Sequence, residues 1–177
     1  LPLTHPQIAP MVREGFVLER LQIKVGVKPL EIWRAGGQLQ SLGLTLRPLT
    51  KAGSQQGLRF LPQIAPANQV ITAVNGGFFN RITQLPLGAV RQNGTWLSGP
   101  ILNRGAIGWN PGEPPLFGRL SLTQALRGPD GQLWYLTHLN SGYIQKGLSR
   151  YTSAWGPRYR PLSGQEEAVL IQNGRVL

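Results

Sequence analysis

The sequence contains no cysteine, and only two of its 177 residues are histidine. The absence of cysteine excludes disulfide bonds, thiolate metal sites and a cysteine nucleophile. His5 lies near the start of the chain, and His138 stands alone in a predicted strand, where a histidine is most often structural. So few nitrogen ligands predict neither a metal site nor a cofactor. No apolar run approaches the roughly 20 residues that cross a membrane as a helix, so no membrane span is expected.

Acidic residues are scarce. The chain has 7 Asp and Glu residues against 18 Lys and Arg residues, which gives a net charge of +11. Most of these cations are arginines, whose planar forks bind phosphate and carboxylate in a bidentate manner. One interpretation is an anionic partner: a phosphodiester, a nucleic acid, an acidic polysaccharide or an anionic membrane surface. The other is that an acidic remainder of a longer protein balances the charge. The arginines are dispersed, which argues against nucleic acid.

Charged residues make up only 14% of the chain, whereas glycine occurs 23 times and proline 15 times. This composition favours turns over long helices, so we expect an α+β fold: a β-rich mixed sheet with short helices. Prolines at positions 2, 6 and 10 predict an extended arm over residues 1–15. Residues 16–177 are expected to belong to one domain.

Alternating apolar residues predict most of the strands. The Asn93-Gly94 pair is the strongest signal for a two-residue type I′ hairpin turn, and residues 128–131 form a second turn. Residues 110–115 are an expected loop, 116–126 fit a strand or a short helix, and 142–162 are irregular. Strands are predicted over 21–27, 30–34, 42–46, 70–74, 89–97 (as a hairpin), 104–109, 132–139 and 167–172, and a short helix within 58–67.

The stretch 70–80, Val-Ile-Thr-Ala-Val-Asn-Gly-Gly-Phe-Phe-Asn, has the most distinctive pattern. A predicted buried strand runs into Asn75 and two glycines, which permit a positive φ and close approach of another group to the backbone. Phe78 and Phe79 are expected to be buried as anchors. Such a backbone can direct its amides and the Asn75 side chain at a ligand. The simpler interpretation is a glycine-rich turn between two core strands.

Several short motifs occur in a recognisable order. They are Asn-Gly-Gly-Phe-Phe at 75–79, Pro-Leu-Gly at 86–88, Asn-Gly at 93–94, Ser98, Asn-Arg-Gly-Ala-Ile-Gly at 103–108 and Gly-Leu-Ser-Arg-Tyr-Thr at 147–152. Together they resemble the phosphodiester glycosidase family, which includes N-acetylglucosamine-1-phosphodiester α-N-acetylglucosaminidases. The last motif is similar to the cyanobacterial branch of that family. The resemblance extends from residue 71 to residue 177.

The resemblance implies a hydrolase that cleaves a sugar from a glycosyl phosphodiester or a related glycoconjugate. It also implies a bacterial protein that is secreted or periplasmic after removal of a signal. Similar proteins carry a second half with Gly-Gly-Pro, Arg-Thr and Asp-Gly-Gly-Gly-Ser segments, none of which is in this sequence. By resemblance, therefore, the chain is an N-terminal, substrate-binding half whose partner is the C-terminal half of the same domain. Alone, it is expected to be inactive.

The acidic residues themselves offer no convincing catalytic pair, although glycosidic hydrolysis normally uses two carboxylates. Asp130 is expected to cap a turn. Glu166 and Glu167 are adjacent in a predicted strand, where neighbouring side chains point to opposite faces. The catalytic residues are therefore left unassigned. An alternative function needs no catalysis: a basic module that binds acidic polysaccharide or nucleic acid.

Substrate binding is the role that the sequence does assign. Main-chain amides, asparagine side chains, an arginine and aromatic rings supply the groups that a glycosyl phosphodiester requires. The tyrosines and arginines within 142–162 form either a stacking wall for a sugar or base, or a loop packed by its own side chains. The residues predicted to bind substrate are Asn75, Gly76, Gly77, Phe79, Asn103, Arg104, Asn140 and Tyr151.

Overall fold

The structure is a computed structural model that describes residues 15–50, 57–65, 69–82, 84–143 and 146–177. Strands dominate this part of the chain, and its one helix, α1 (Leu61–Ile64), lies within the predicted helical segment. The arm predicted over 1–15 lies outside the described residues except for Gly15. The strands are β1 (Val17–Val25), β2 (Lys28–Gly36), β3 (Val90–Gln92), β4 (Thr95–Ser98), β5 (Gly105–Gly108), β6 (Leu116–Arg119), β7 (Gln124–Arg127), β8 (Leu133–Leu139), β9 (Leu148–Arg150), β10 (Ile171–Gln172) and β11 (Arg175–Val176).

The strands form small sheets. Four sheets have two strands each, namely β1–β2, β3–β4, β5–β6 and β10–β11. The fifth has the order β7–β8–β9 and is mixed, because β8 runs antiparallel to β7 and parallel to β9. The protein is therefore β-rich, as predicted. No helix in the described part of the chain is long and apolar enough to span a membrane.

The chain divides into two compact units. The first unit comprises the described residues of 15–50, 59–76 and 107–117, and the second those of 57–58, 77–106 and 118–177. In the first unit, Leu42 is buried, and a Cβ at Gly37 would lie 2.9 Å from the Leu42 Cδ1 atom. The second unit buries apolar residues from several segments: Leu85, Ile101, Leu139 and Trp155.

The β1–β2 hairpin of the first unit confirms two predicted strands. Its antiparallel register pairs Leu21 with Ile32 and Ile23 with Leu30, so these apolar side chains share one face. Pro29 lies within β2, which is tolerated because β2 is an edge strand. Ile23 is nonetheless 43% exposed, so the apolar face is not covered by the described residues.

Two predicted strands are absent from the structure. Over 42–46, the amide of Leu42 donates to the Gln38 carbonyl and that of Leu44 to the Leu39 carbonyl, which makes turns instead. Over 70–74 the chain joins no ladder among the described residues, and Val74 is 83% exposed. Both errors have one cause, since an apolar pattern indicates burial but a strand also requires a hydrogen-bonding partner.

The turn predicted at Asn93-Gly94 is confirmed. Asn93 and Gly94 have φ values of 50° and 76°, as a type I′ hairpin turn requires, and they join β3 to β4. The strand predicted over 167–172 shrinks to β10. It pairs with β11 through the Asn173-Gly174 turn.

Candidate functional site

The glycines of the Asn-Gly-Gly-Phe-Phe motif do not form a left-handed turn, but one of them lets another part of the backbone approach closely. Neither Gly76 nor Gly77 has a positive φ, so that part of the expectation is wrong. A Cβ at Gly77 would lie 3.3 Å from the Leu87 carbonyl oxygen, which confirms that another group approaches the backbone there. Asn75 and Gly76 lie in the first unit and Gly77 in the second, and all three are exposed. No hydrogen bond among the described residues uses the Gly77 amide.

The chain after Gly77 is anchored by leucine, not by phenylalanine. Phe78 and Phe79 are 70% and 45% exposed, so their predicted burial is wrong. The amide of Leu87 donates to the Phe78 carbonyl at 2.9 Å, and Leu85 lies in the core. A Cβ at Gly142 would overlap the Leu85 side chain, so that position admits only glycine without rearrangement. The two aromatic rings therefore remain available at the surface.

Arg104 lies against one of these rings. Its guanidinium carbon is 4.6 Å from the centroid of the Phe78 ring, which is a cation–π arrangement. Among the described residues no carboxylate pairs with Arg104, since the two ion pairs there are Arg20–Glu31 and Arg34–Glu19. The guanidinium thus presents its donors to solvent above an apolar ring.

Arg104 is the last residue of a strained turn. The Arg104 amide donates to the carbonyl of buried Ile101 at 3.1 Å, and the two residues between them, Leu102 and Asn103, have φ values of 52° and 49°. This is a type I′ turn with leucine at its first central position. The left-handed conformation costs a residue such as leucine about 1–2 kcal/mol.

A cleft of about 330 Å³ opens beside this turn in the second unit. It is bounded by residues 99–103, by 120–122 with Gln124, and by Thr137 and Leu139 of β8. Asn103 is the predicted binding residue that lines it. The lining has no ionisable side chain, although the chain as a whole carries a net charge of +11.

The buried Asn140 side chain forms hydrogen bonds to two other segments of the second unit. Its side-chain amide donates to the Leu97 carbonyl and to the Thr152 hydroxyl, both at 2.8 Å, and its oxygen accepts from the Thr152 amide at 2.7 Å. The residue is 0% exposed. Both donors of the Asn140 amide are thus used within the chain, and no atom of the residue is accessible to bond a sugar hydroxyl.

Tyr151 belongs to a self-packed aromatic cluster. Its ring centroid is 5.1 Å from that of buried Trp155 and 4.5 Å from that of Tyr159. Its hydroxyl donates to the Ser141 carbonyl at 3.0 Å. Burial, and after it the nearby Tyr159 and Glu166, raises the pKa of Tyr151 to about 12, so the phenol stays protonated. The geometry favours the loop packed by its own side chains over an open stacking wall.

Glu166 supports a loop of the second unit. Glu166 accepts the amides of Leu162 at 2.6 Å, Ser163 at 2.7 Å and Gln165 at 3.1 Å. Main-chain donors of this kind lower the pKa of Glu166 to about 2. Glu166 therefore precedes β10 rather than opening a strand with Glu167, which corrects that expectation.

Two further groups fit structural roles. Asp130 accepts the Gln132 amide at 3.1 Å, which is the turn-capping role predicted for it. His138 is buried, and desolvation lowers its pKa, so it stays neutral in the core. Across the described part of the chain no group of three or more potential metal ligands occurs.

The sequence missed several residues of the site. Phe78 precedes Phe79, the phenylalanine that was predicted to bind substrate. Only the position of Arg104 shows that the Phe78 ring is the one that lies against a cation. Leu102 and Gln124 carry no sequence signal for ligand binding, because the cleft joins segments that are distant in the chain. The turn chemistry offers one clue: a leucine before Asn103 is unusual at a type I′ position.

Comparison with known proteins gives one informative match. No protein-family model and no curated protein matches the chain. The chain is similar to a hypothetical protein from Synechocystis whose crystal structure is known, with a TM-score of 0.83 and 43% sequence identity over 92% of the chain. The chain spans 31% of the length of that protein. The two proteins therefore share the fold of the matched segment.

Proposed function

We propose that this chain is the substrate-binding part of a phosphodiester glycosidase, a hydrolase that releases a sugar from a glycosyl phosphodiester or related glycoconjugate. The observation that carries the proposal is the exposed Arg104 guanidinium held above the ring of exposed Phe78, which directly follows the Asn-Gly-Gly segment in the chain. In this proposal the complete domain has the α+β class and a secreted or periplasmic location, both of which come from the family resemblance.

The chemistry of the substrate fits these groups. A glycosyl phosphodiester carries one negative charge between groups that have apolar faces and hydroxyls. Arg104 supplies a fixed cation whose planar fork suits two phosphate oxygens. The exposed Gly77 amide supplies a main-chain donor, and Phe78 supplies an apolar surface. Phe78 takes the aromatic role that the sequence assigned to Phe79 or Tyr151.

Catalysis is proposed to need residues outside this chain. Hydrolysis of a glycosidic bond normally uses two carboxylates, yet Asp130 and Glu166 both accept main-chain hydrogen bonds that support loops. The match to a much longer protein supports a partner segment that brings the catalytic carboxylates. The chain alone is therefore expected to bind substrate without turning it over.

The test compares two arginines in the complete protein. The probe is the methyl phosphodiester of N-acetylglucosamine 1-phosphate, titrated at low and high salt. A charge-assisted hydrogen bond contributes about 1.5–3 kcal/mol, so Arg104→Ala is expected to weaken binding roughly ten-fold or more. Arg127 is exposed on β7, and Arg127→Ala is the matched control that should change little.

A different outcome favours the alternative function. A module that binds nucleic acid or acidic polysaccharide spreads its affinity over many cations, and its binding weakens steeply with salt. Equal, small losses in both variants with a steep salt dependence would replace the glycosidase proposal with that function.

A further inference from the structure

The cleft beside the Arg104 turn differs from the rest of this basic chain because its lining carries no charge. Its volume of about 330 Å³ lies in the range of small-ligand pockets. An anion would gain no ion pair inside it, and burying a charge without a partner is unfavourable. The cleft is therefore suited to an uncharged ligand.

The lining combines polar and apolar groups. Asn103, Ser121 and Gln124 line the cleft, and no hydrogen bond among the described residues uses their side chains. Leucines form the intervening wall. An amide and a hydroxyl each both donate and accept hydrogen bonds, as sugar hydroxyls do. A pyranose ring presents the same mixture of hydroxyls and C–H faces.

The turn at the cleft supplies a second, independent observation. The type I′ turns of the β3–β4 and β10–β11 hairpins both use Asn-Gly, the sequence that adopts this conformation with least strain. At the cleft the corresponding pair is Leu102 and Asn103. A strained residue that persists where the chain elsewhere uses an unstrained one indicates that its side chain has a role. Here both residues line the cleft.

We propose that this cleft is a subsite for an uncharged sugar ring, with Leu102 as its apolar wall and Asn103 and Gln124 as hydrogen-bonding groups. The inference rests on the proposed function in one respect only, namely that Arg104 binds a phosphate next to the sugar. The subsite itself recognises the sugar through neutral contacts, so its affinity does not depend on salt.

The experiment uses the full-length protein and two probes, N-acetylglucosamine and the methyl phosphodiester of N-acetylglucosamine 1-phosphate. Binding is followed by NMR titration, and stability by thermal unfolding. Leu102→Gly removes the wall and relieves the strain, so it is expected to weaken binding of the neutral sugar about five-fold or more without lowering the unfolding midpoint. Gln124→Ala is expected to weaken binding similarly.

The matched control is Asn93→Gly, which changes a type I′ turn away from the cleft and should leave binding unchanged. Absence of saturable sugar binding, or equal binding by Leu102→Gly and the unmodified protein, would overturn the subsite. The proposed function fails separately, if Arg104→Ala does not weaken diester binding while Leu102→Gly still weakens binding of the neutral sugar.

Discussion

The two units of this protein contrast in what their strands bury. In the first unit, the β1–β2 hairpin pairs nine residues with nine, yet nearly all of its side chains are exposed. In the second unit the buried residues include the polar Ser98, His138, Asn140 and Ser141. The β1–β2 pairing thus follows a regular local pattern, whereas the candidate site lies in a unit whose buried side chains join distant segments.

The difference follows from the cost of burying polar groups. An exposed strand can exchange its polar partners with water, so the ion pairs of the β1–β2 hairpin contribute little. A buried amide must find each partner inside the protein, and so it fixes the segments that it joins. The candidate cleft and the Arg104 turn lie in the unit that has such a network.

The largest expected effect comes from breaking that network. Asn140→Ala removes three side-chain hydrogen bonds, including those to the part-buried Leu97 carbonyl and Thr152 amide, so we expect a loss of about 3 kcal/mol in the free energy of unfolding. Asn173→Ala is the matched control, since Asn173 has a similar φ of 51° but is exposed. Urea unfolding measures both, and equal losses would mean that the backbone conformation, not the network, sets the cost.

The next effect tests close packing. Gly142→Ala forces a Cβ into the buried Leu85 side chain, which should destabilise the protein by about 1–3 kcal/mol. Gly36→Ala, at the end of β2, adds a Cβ where nothing lies within 4 Å and is expected to be neutral. Thermal unfolding of the two variants compares the units directly. A neutral Gly142→Ala would show that the Leu85 anchor is loose.

A pH-dependent effect comes from Glu166. Main-chain amides bind the carboxylate in the folded chain and lower its pKa from the ordinary value of 4.5 to about 2. The folded state thus binds this proton less readily than the unfolded state, so the stabilisation is present above pH 4.5 and is lost as the pH falls towards 2. Glu166→Gln should flatten the dependence of stability on pH in that window. Identical profiles for Glu166→Gln and the unmodified protein would contradict the capping role.

The smallest effect is expected on the exposed face of β1. Ile23→Thr keeps a β-branched side chain on a surface strand and should change the free energy of unfolding by about 0.5 kcal/mol at most. In the same unit Leu42→Ala, a buried position, should cost about 2 kcal/mol or more. A large loss for Ile23→Thr in a longer form of the protein would reveal a segment that covers this face.

The sequence predicted the elements whose cause is local. Asn93-Gly94 encodes its hairpin because few other residue pairs adopt positive φ twice in succession. The alternation in β1 and β2 likewise predicts the two strands that pair in this hairpin. The apolar stretches 42–46 and 70–74 were mistaken for strands, since nothing in their own residues specifies a pairing partner.

The sequence by itself determined the β-rich character, the principal turns and the availability of arginine for an anion, all of which depend on residue type and near neighbours. Only the tertiary structure decided which groups meet. It removed Asn140 from the surface, placed Arg104 over Phe78 rather than Phe79, and joined residues 99–103 to Gln124 in a cleft without charge. Those outcomes depend on contacts between residues far apart in the chain, which composition and periodicity do not encode.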